Sequence, residues 1–317
     1  MLRGKTVRNK GNSLLETVSD YMVIDIETTG FDPFWDEIIE VAVLKVRNYE
    51  VVDHFQSLID PEIKIDEFIT LKTGITNKMV RGKPTISDII PELFDFIGND
   101  IILGHNVNFD INFLYDCSEG YKVLNNDFVD FLRLSRRIYP DFEDHRLDTI
   151  MVNLGIPDRK LHRSLNDCYV TNECYIHTVN HIQREGIVLK DLFKKKHSPG
   201  HYKYDYVNYS KLAPLDPSSI DPDHECYGKH FCFTGALENL TRNEAAQIVA
   251  NFGGIIQNSV TKETTYLVLG NFDYVKLKGD KSTKQRKAEE LYLKGHEIHI
   301  LSENVFFGMI EDALEAD

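Results

Sequence analysis

Asp25 and Glu27 stand two residues apart inside the apolar stretch MVIDIETTG, and this pair narrows the folds open to the chain more than any other feature. MVIDI is short, apolar and rich in β-branched residues, which reads as a strand. Strand side chains alternate between faces, so both carboxylates project from one face of a sheet. Burying acids is costly unless something compensates them. Either the strand lies at an edge with its acids in water, or the acids meet a compensating charge inside.

The surrounding pattern supplies that sheet. IIEVAVLKV and VVDHFQSLI read as two further strands, followed by helical periodicity in TISDIIPELFDFIG, an apolar strand in IILG and a helix in NVNFDINFLYDC. LDTIMVNLG and the long amphipathic run SLNDCYVTNECYIHTVNHIQ complete a sheet with helices packed against it. Between Arg184 and Glu225 the apolar period fades while Lys, Tyr, Ser, Pro and Asp accumulate, the signature of a linker. A second, smaller βα pattern then runs through strand KHFCF, helix TRNEAAQIVANF, strands IIQNSV and TTYLVLG, helix STKQRKAEELYLKG, strand EIHIL and helix SENVFFGMI. The expected division is a basic N-terminal tail over 1–18, a first domain over 19–185, a linker over 186–225 and a second domain over 226–314. At 317 residues the chain is long enough for two cores.

Composition excludes several classes. With 42% hydrophobic and 27% charged residues and no apolar run near membrane-spanning length, the chain reads as a soluble protein with no membrane partner. The N-terminal MLRGKTVRNKGNSLLETVSD has no apolar h-region, so a cytoplasmic location is expected. Five cysteines without C-x-x-C pairs suggest neither a disulfide framework nor a zinc site. The net charge of −14 weighs against a nucleic-acid partner. Local patches nonetheless outweigh a distant total, since screening acts over about 8 Å at physiological salt. Two basic stretches exist, Arg3, Lys5, Arg8 and Lys10, and then Lys190, Lys194, Lys195, Lys196, Lys203 and Lys211; each is equally readable as solvated charge.

Two further acids have structural explanations available. Asp110 lies in GHNVNFDINFL, where Asn106 is placed to cap a helix and an acid in the first turn suits the helix dipole. Asp167 lies in HRSLND, five residues after His162, and Ser164 with Asp167 fits a capping box. One of twelve histidines means little alone.

The conjunction is more specific. D-x-E-T-T-G after a strand, H-N-x-x-F-D opening a helix and H-x(4)-D opening a later helix occur in that order. This set resembles the DnaQ-like proofreading exonuclease family, DEDDh branch, of the kind found in DNA polymerase III epsilon subunits. The resemblance runs from Ser19 to Gln183 and includes LKTGIT and LDTIMVNLGI. Ser164 departs from the alanine more usual in the family. The resemblance implies a ribonuclease H-like α/β domain with a mixed sheet and helices on both faces. It implies that Asp25, Glu27, Asp110 and Asp167 hold two Mg²⁺ or Mn²⁺ ions, that His162 is the general base, and that Thr28, Thr29 and Gly30 face the terminal nucleotide.

Elementary electrostatics agrees with it. Carboxylates about 4 Å apart repel by roughly 4 kcal/mol per pair at an effective dielectric of 20. Hard divalent cations relieve this, and oxygen ligands favour Mg²⁺ or Mn²⁺ over zinc. Two ions about 3.5–4 Å apart suit in-line displacement at phosphorus, and an imidazole titrating near neutrality suits proton removal from the attacking water. No small organic cofactor is implied.

In the second domain, GKHFCFTGALENLTRNEAAQIVANFGG is a strand, a Thr234-Gly235 turn and a helix with a Thr241–Glu244 capping box ending at Gly253-Gly254. Tyr227 to Ile310 resembles a small α/β BRCT domain, with Phe306 or Phe307 where the family usually has tryptophan. The resemblance implies a phosphate pocket from Thr234, Gly235 and Lys287, with Lys284 and Arg242 assisting. A hydroxyl, a free N–H and an ammonium near a helix N-terminus suit a phosphate on a DNA 5′ end or a protein. Lys284, Arg286 and Lys287 also fit an ordinary solvated helix face. The expected function is a 3′-to-5′ exonuclease acting on DNA in preference to RNA and recruited by its BRCT domain. The alternatives are an exoribonuclease trimming RNA 3′ ends and a non-catalytic scaffold binding DNA ends or phosphoproteins.

Overall fold

The computed structural model describes residues 10–31, 33, 36–118, 121–122, 124–157, 161–192, 209, 212–217, 220–222, 224–235, 237, 240–270 and 281–310. Of the basic stretches, Arg3, Lys5, Arg8, Lys194, Lys195, Lys196, Lys203 and Lys211 lie outside the described residues. The chain divides into two compact units, Met1–Phe193 and Lys194–Asp317.

In the first unit, β1 (Tyr21–Thr28), β2 (Ile38–Arg47) and β3 (Glu50–Leu58) form an antiparallel meander. α1 (Glu67–Thr73), α2 (Asn77–Val80) and α3 (Ile86–Ile97) follow, then β4 (Ile102–Gly104) and α4 (Val107–Cys117). β5 (Phe128–Asp130) leads into α5 (Phe131–Ile138), α6 (Leu147–Asn153), α7 (Ser164–Glu185) and α8 (Leu189–Leu192). The sheet order is β3-β2-β1-β4-β5, with β4 parallel to both β1 and β5, so the sheet is mixed as expected.

β1 lies in the middle of this sheet, which rules out the edge-strand reading of its acids. Its period-2 alternation sends Met22, Ile24 and Ile26 into a core with Leu93 and Phe94 of α3 and Ile111 and Leu114 of α4. Tyr21 and Val23 face the opposite core, with Leu134 of α5, Ile150 of α6 and Cys168 and Tyr175 of α7. Asp25 and Glu27 continue that second row at the carboxyl end of the strand.

Residues 10–18 are not wholly a tail: Leu14 donates its main-chain N–H to the carbonyl of Phe128 and Phe128 donates to Asn12, so the segment adds to the free edge of β5. Gly11 permits that approach, since a Cβ there would lie 2.1 Å from the Asn126 carbonyl oxygen. Ile187, Leu189 and Leu192, expected in a linker, pack against the α7-side core.

In the second unit, β6 (His230–Thr234), α9 (Arg242–Asn251), β7 (Ile255–Gln257), β8 (Tyr266–Leu269), α10 (Thr283–Leu293), β9 (His299–Ser302) and α11 (Glu303–Met309) build a parallel sheet of order β7-β6-β8-β9. The Thr241–Glu244 capping box is present in both directions. Phe306 fills the position expected of an aromatic: it is fully buried and edge-on to Phe233 at 5.2 Å, whereas Phe307 is only partly buried. Tyr209 and Leu212 pack on this core and Leu215 donates its main-chain N–H to Asn251, so part of the expected linker belongs to the unit. No helix among the described residues is long and apolar enough to cross a membrane.

Candidate active site

Four acids from three elements converge at the carboxyl end of β1. Asp25 and Glu27 come from β1 itself, and a β-bulge between Glu27 and Thr28 ends the regular pairing there. Asp110, 4% exposed, sits in the first turn of α4 and accepts the main-chain N–H of Ile26 at 2.9 Å, which ties it to the strand between the other two acids. Asp167, 7% exposed, comes from the first turn of α7. Ligand atoms of Glu27, His162 and Asp167 lie within 4.8 Å of one another.

The helix starts differ from expectation. Asn106 is the N-cap of α4, but it sits in the left-handed region (φ 65°) and its side chain makes no capping bond. Asp130 holds it instead, accepting the main-chain N–H groups of Asn106 and Leu132 at 3.0 Å each. The Ser164–Asp167 capping box does not form. Arg163 is the N-cap, Ser164 is already helical, and the Asp167 carboxylate turns back to accept the main-chain N–H of His162. His162 is also left-handed, at φ 64°.

The electrostatics is that of a crowded, desolvated acid cluster. Burial, then Asp167, Asp110 and Glu27, push the Asp25 carboxyl well above its ordinary value. Burial raises Glu27 to about 8, the Lys72 ammonium opposing and Asp167 and Glu40 adding to the rise. Burial also raises Asp110 well up and Asp167 to about 7, although each is partly compensated by main-chain N–H donors. His162 moves the other way: desolvation and then Lys72 lower it to about 4, below the near-neutral titration expected of a general base, so the metal-free imidazole is neutral at pH 7 with a lone pair to offer but is a weaker base than expected. Asp25 Oδ2 is buried with no hydrogen-bond donor among the described residues. A donorless buried carboxylate oxygen beside three more acids fits a hard divalent cation, and the donor set of carboxylate oxygens and one imidazole suits one.

Thr28 and Thr29 are buried and their hydroxyls are engaged inside the loop: Thr28 bonds to the Gly30 carbonyl, and Thr29 accepts the Glu37 N–H at 2.9 Å. Gly30 passes so close to the Asp36 carboxylate that a Cβ would overlap it. These residues shape the rim of the site. Reading the sequence missed Glu40, Arg163, Lys72 and Asp130, although an acid inside the apolar IIEVAV strand carries the same signal as Asp25.

In the second unit, Arg242 Nε donates to the Gly235 carbonyl at 2.6 Å and Lys284 Nζ to the Phe233 carbonyl at 2.8 Å. Thr234 Oγ1 donates to Ser282 Oγ, the N-cap of α10, at 3.0 Å. Thr234, Gly235, Arg242 and Lys284 thus meet at the end of β6. Lys287 is exposed on α10, three residues beyond Lys284.

Comparison with known proteins agrees with both units. The family model described as Exonuclease, of RNase T type, matches residues 22–175, and that of the BRCA1 C Terminus (BRCT) domain matches residues 222–307. DNA polymerase III subunit epsilon of Aquifex aeolicus is 35% identical over 174 residues, 54% of this chain and 85% of that protein. A PolC-type DNA polymerase III of Clostridium perfringens is 38% identical over 207 residues, 65% of this chain; the matched part is 13% of that longer protein. Among solved structures, exonuclease X in complex with 5′ overhanging duplex DNA aligns at 24% identity with a TM-score of 0.43, over 54% of this chain and 96% of that one. The chain therefore belongs to the DnaQ-like exonuclease family that includes the DNA polymerase III epsilon subunit, and it carries a BRCT domain as its second unit.

Proposed function

We propose that the chain removes nucleotides from DNA 3′ ends in the cytoplasm, with Asp25, Glu27, Asp110 and Asp167 holding two Mg²⁺ or Mn²⁺ ions and His162 as the general base. The observation that carries this reading is the closeness of Glu27, His162 and Asp167 ligand atoms, within 4.8 Å, beside the donorless Asp25 Oδ2. DNA is favoured as substrate by the epsilon and PolC relatives, whose names place them in DNA polymerase III.

Divalent ions bound there supply charge neutralisation and polarisation of the scissile phosphate. The chain's own residues do the rest. His162, neutral and open to solvent, takes the proton of the attacking water at a ring nitrogen. Asp167 orients it through the main-chain N–H of His162. The locked Thr28–Gly30 turn gives the terminal nucleotide a rigid surface beside Glu27. In the second unit, Thr234, Gly235, Arg242 and Lys284 form a site for a phosphate on a DNA end or partner protein. Being covalently joined, the BRCT unit raises the local concentration of the nuclease near that ligand.

A side-by-side assay of end-labelled DNA and RNA oligonucleotides with Mg²⁺ or Mn²⁺ tests the reading. Shortening of DNA from its 3′ end in preference to RNA is expected. Preference for RNA would make the chain an exoribonuclease, and binding of ends with no shortening of either would leave a scaffold.

A further inference from the structure

Glu40 lies directly across the β1–β2 pairing from Glu27 and is as inaccessible as any core residue, at 0% exposure. Its chemical situation is the opposite of that of Asp25. Asp25 Oδ2 has no hydrogen-bond partner among the described residues, and the Ser164 hydroxyl only partly eases the Asp25 carboxyl. The Glu40 carboxylate has four donors: Arg163 Nε at 3.1 Å and Nη2 at 2.7 Å, the main-chain N–H of Ser164 at 3.0 Å, and Gln56 Nε2 at 3.1 Å. A carboxylate offers about four lone-pair directions, so these are filled and Glu40 has little left for a cation.

Two of its partners, Arg163 and Ser164, are the N-cap and first helical residue of α7. They stand between His162 and Asp167. The main-chain bonds from His162 to Asp167 close that turn on itself, yet nothing in them ties the turn to the sheet that carries Asp25 and Glu27. Glu40 makes that tie, and the planar fork of Arg163 fixes orientation as well as distance.

We propose that Glu40 and Arg163 form a positioning pair that sets the start of α7, and with it His162 and Asp167, against Asp25 and Glu27. The assignment rests on the exonuclease reading for its catalytic consequence and on the geometry alone for its structural one. Glu40 itself touches neither substrate nor reacting atoms.

The test uses the full chain and the variants E40Q, R163M and the double variant. Glutamine keeps the shape of Glu40 but sets a donor against donors. Arg163 is 32% exposed, so R163M remains informative should E40Q fail to fold. The first readout is hydrogen exchange at the His162 amide, which Glu40 does not contact, with the β1 amides as internal reference. Exchange at His162 is expected to quicken about tenfold in each variant, with β1 unchanged, as befits a local opening. The second is steady-state hydrolysis of a DNA oligonucleotide: kcat should fall by about 100-fold, the scale of a 1 Å misplacement, with KM within about twofold. The double variant should be no worse than the poorer single one, because the pair acts as a unit.

Unchanged His162 exchange overturns the proposal whatever the activity does. So do additive losses, or β1 exchange that rises in step with His162 and marks a general loosening. An inactive wild type whose His162 exchange still depends on Glu40 sinks the exonuclease reading and leaves the positioning role standing.

Discussion

The main-chain N–H of His162 donates to both carboxylate oxygens of Asp167, at 3.2 and 3.0 Å. One residue of the site thus holds another through the backbone, leaving the imidazole free to turn toward the acids. That division between main chain and side chain makes the roles of His162 separable.

Replacing His162 with alanine removes the ring and keeps the N–H that binds Asp167. Hydrolysis should fall by about 10²–10⁴-fold, the usual worth of a general base, while Mn²⁺ binding by calorimetry persists. Asp25→Ala removes the carboxylate whose Oδ2 lacks a partner among the described residues and should abolish both. Full hydrolysis in either variant would overturn the role assignment.

The raised acids imply a pH dependence with a definite sign. Glu27 moves from an ordinary 4.5 to about 8 and Asp167 from 3.8 to about 7, so between those limits the metal-free folded state holds protons that the unfolded chain has released. Stability must then fall as pH rises through that window, the reverse of a salt-bridged carboxylate. The thermal midpoint of chelator-treated protein should decline from about pH 6.5 to about pH 8, above the range in which the lowered His105, His145 and His162 act in the opposite sense, and Mg²⁺ or Mn²⁺ should restore more of it at the upper end, where fewer protons compete for the oxygens. A midpoint flat across this range, with or without metal, would show that the acids do not share a desolvated site.

Asp110 offers a separation of stability from function. Its Oδ1 accepts the Ile26 N–H, a bond the carbonyl oxygen of asparagine can also accept. Asp110→Asn therefore keeps the tie to β1 and removes the proton uptake that burial of this carboxyl demands on folding at neutral pH. The metal-free variant should melt a few degrees higher at neutral pH, about 2–4 °C for each kcal/mol of desolvation cost relieved, and should lose hydrolysis. A lower midpoint would mean that the hydrogen bond, rather than the desolvation cost, dominates at this residue.

Period-2 alternation was enough to place Asp25 and Glu27 on one face, because a strand's side-chain direction follows from local geometry. The Thr241–Glu244 capping box was legible for the same reason: both its bonds lie within four residues. Asp167 shows where local reasoning fails. Ser164-x-x-Asp167 satisfies a capping pattern, but Ser164 N–H is claimed by Glu40, 124 residues away, so the helix begins one turn position earlier than the pattern implies. Asp130 and Glu40 hold the starts of α4 and α7 through partners 24 and 123 residues away, which no short window of the sequence displays. The three-residue β5, FVD, shows no alternation to declare it, whereas α5, FLRLSRRI, was legible, with Phe131, Leu134 and Ile138 at helical spacing on its buried face.

The phosphate pocket of the BRCT unit yields the last prediction. The family resemblance pointed to Lys287, yet Lys284 is the lysine whose ammonium reaches the end of β6, 2.8 Å from the Phe233 carbonyl, beside Arg242 on the Gly235 carbonyl. Lys287 is three residues farther along α10 and exposed. An ammonium already held at the Thr234-Gly235 turn needs little reordering to meet a phosphate, whereas an exposed lysine must give up side-chain freedom first. Lys284→Ala should weaken binding of a 5′-phosphorylated duplex by about tenfold, the loss of roughly 1.4 kcal/mol expected of one charged hydrogen bond, and Lys287→Ala by no more than about twofold. Anisotropy titrations with phosphorylated and unphosphorylated duplexes, using Asp25→Ala protein as the background to prevent degradation, measure both. Equal losses in the two lysine variants would return the site to a diffuse basic face, and a loss at Lys287 alone would restore the residue that the resemblance named.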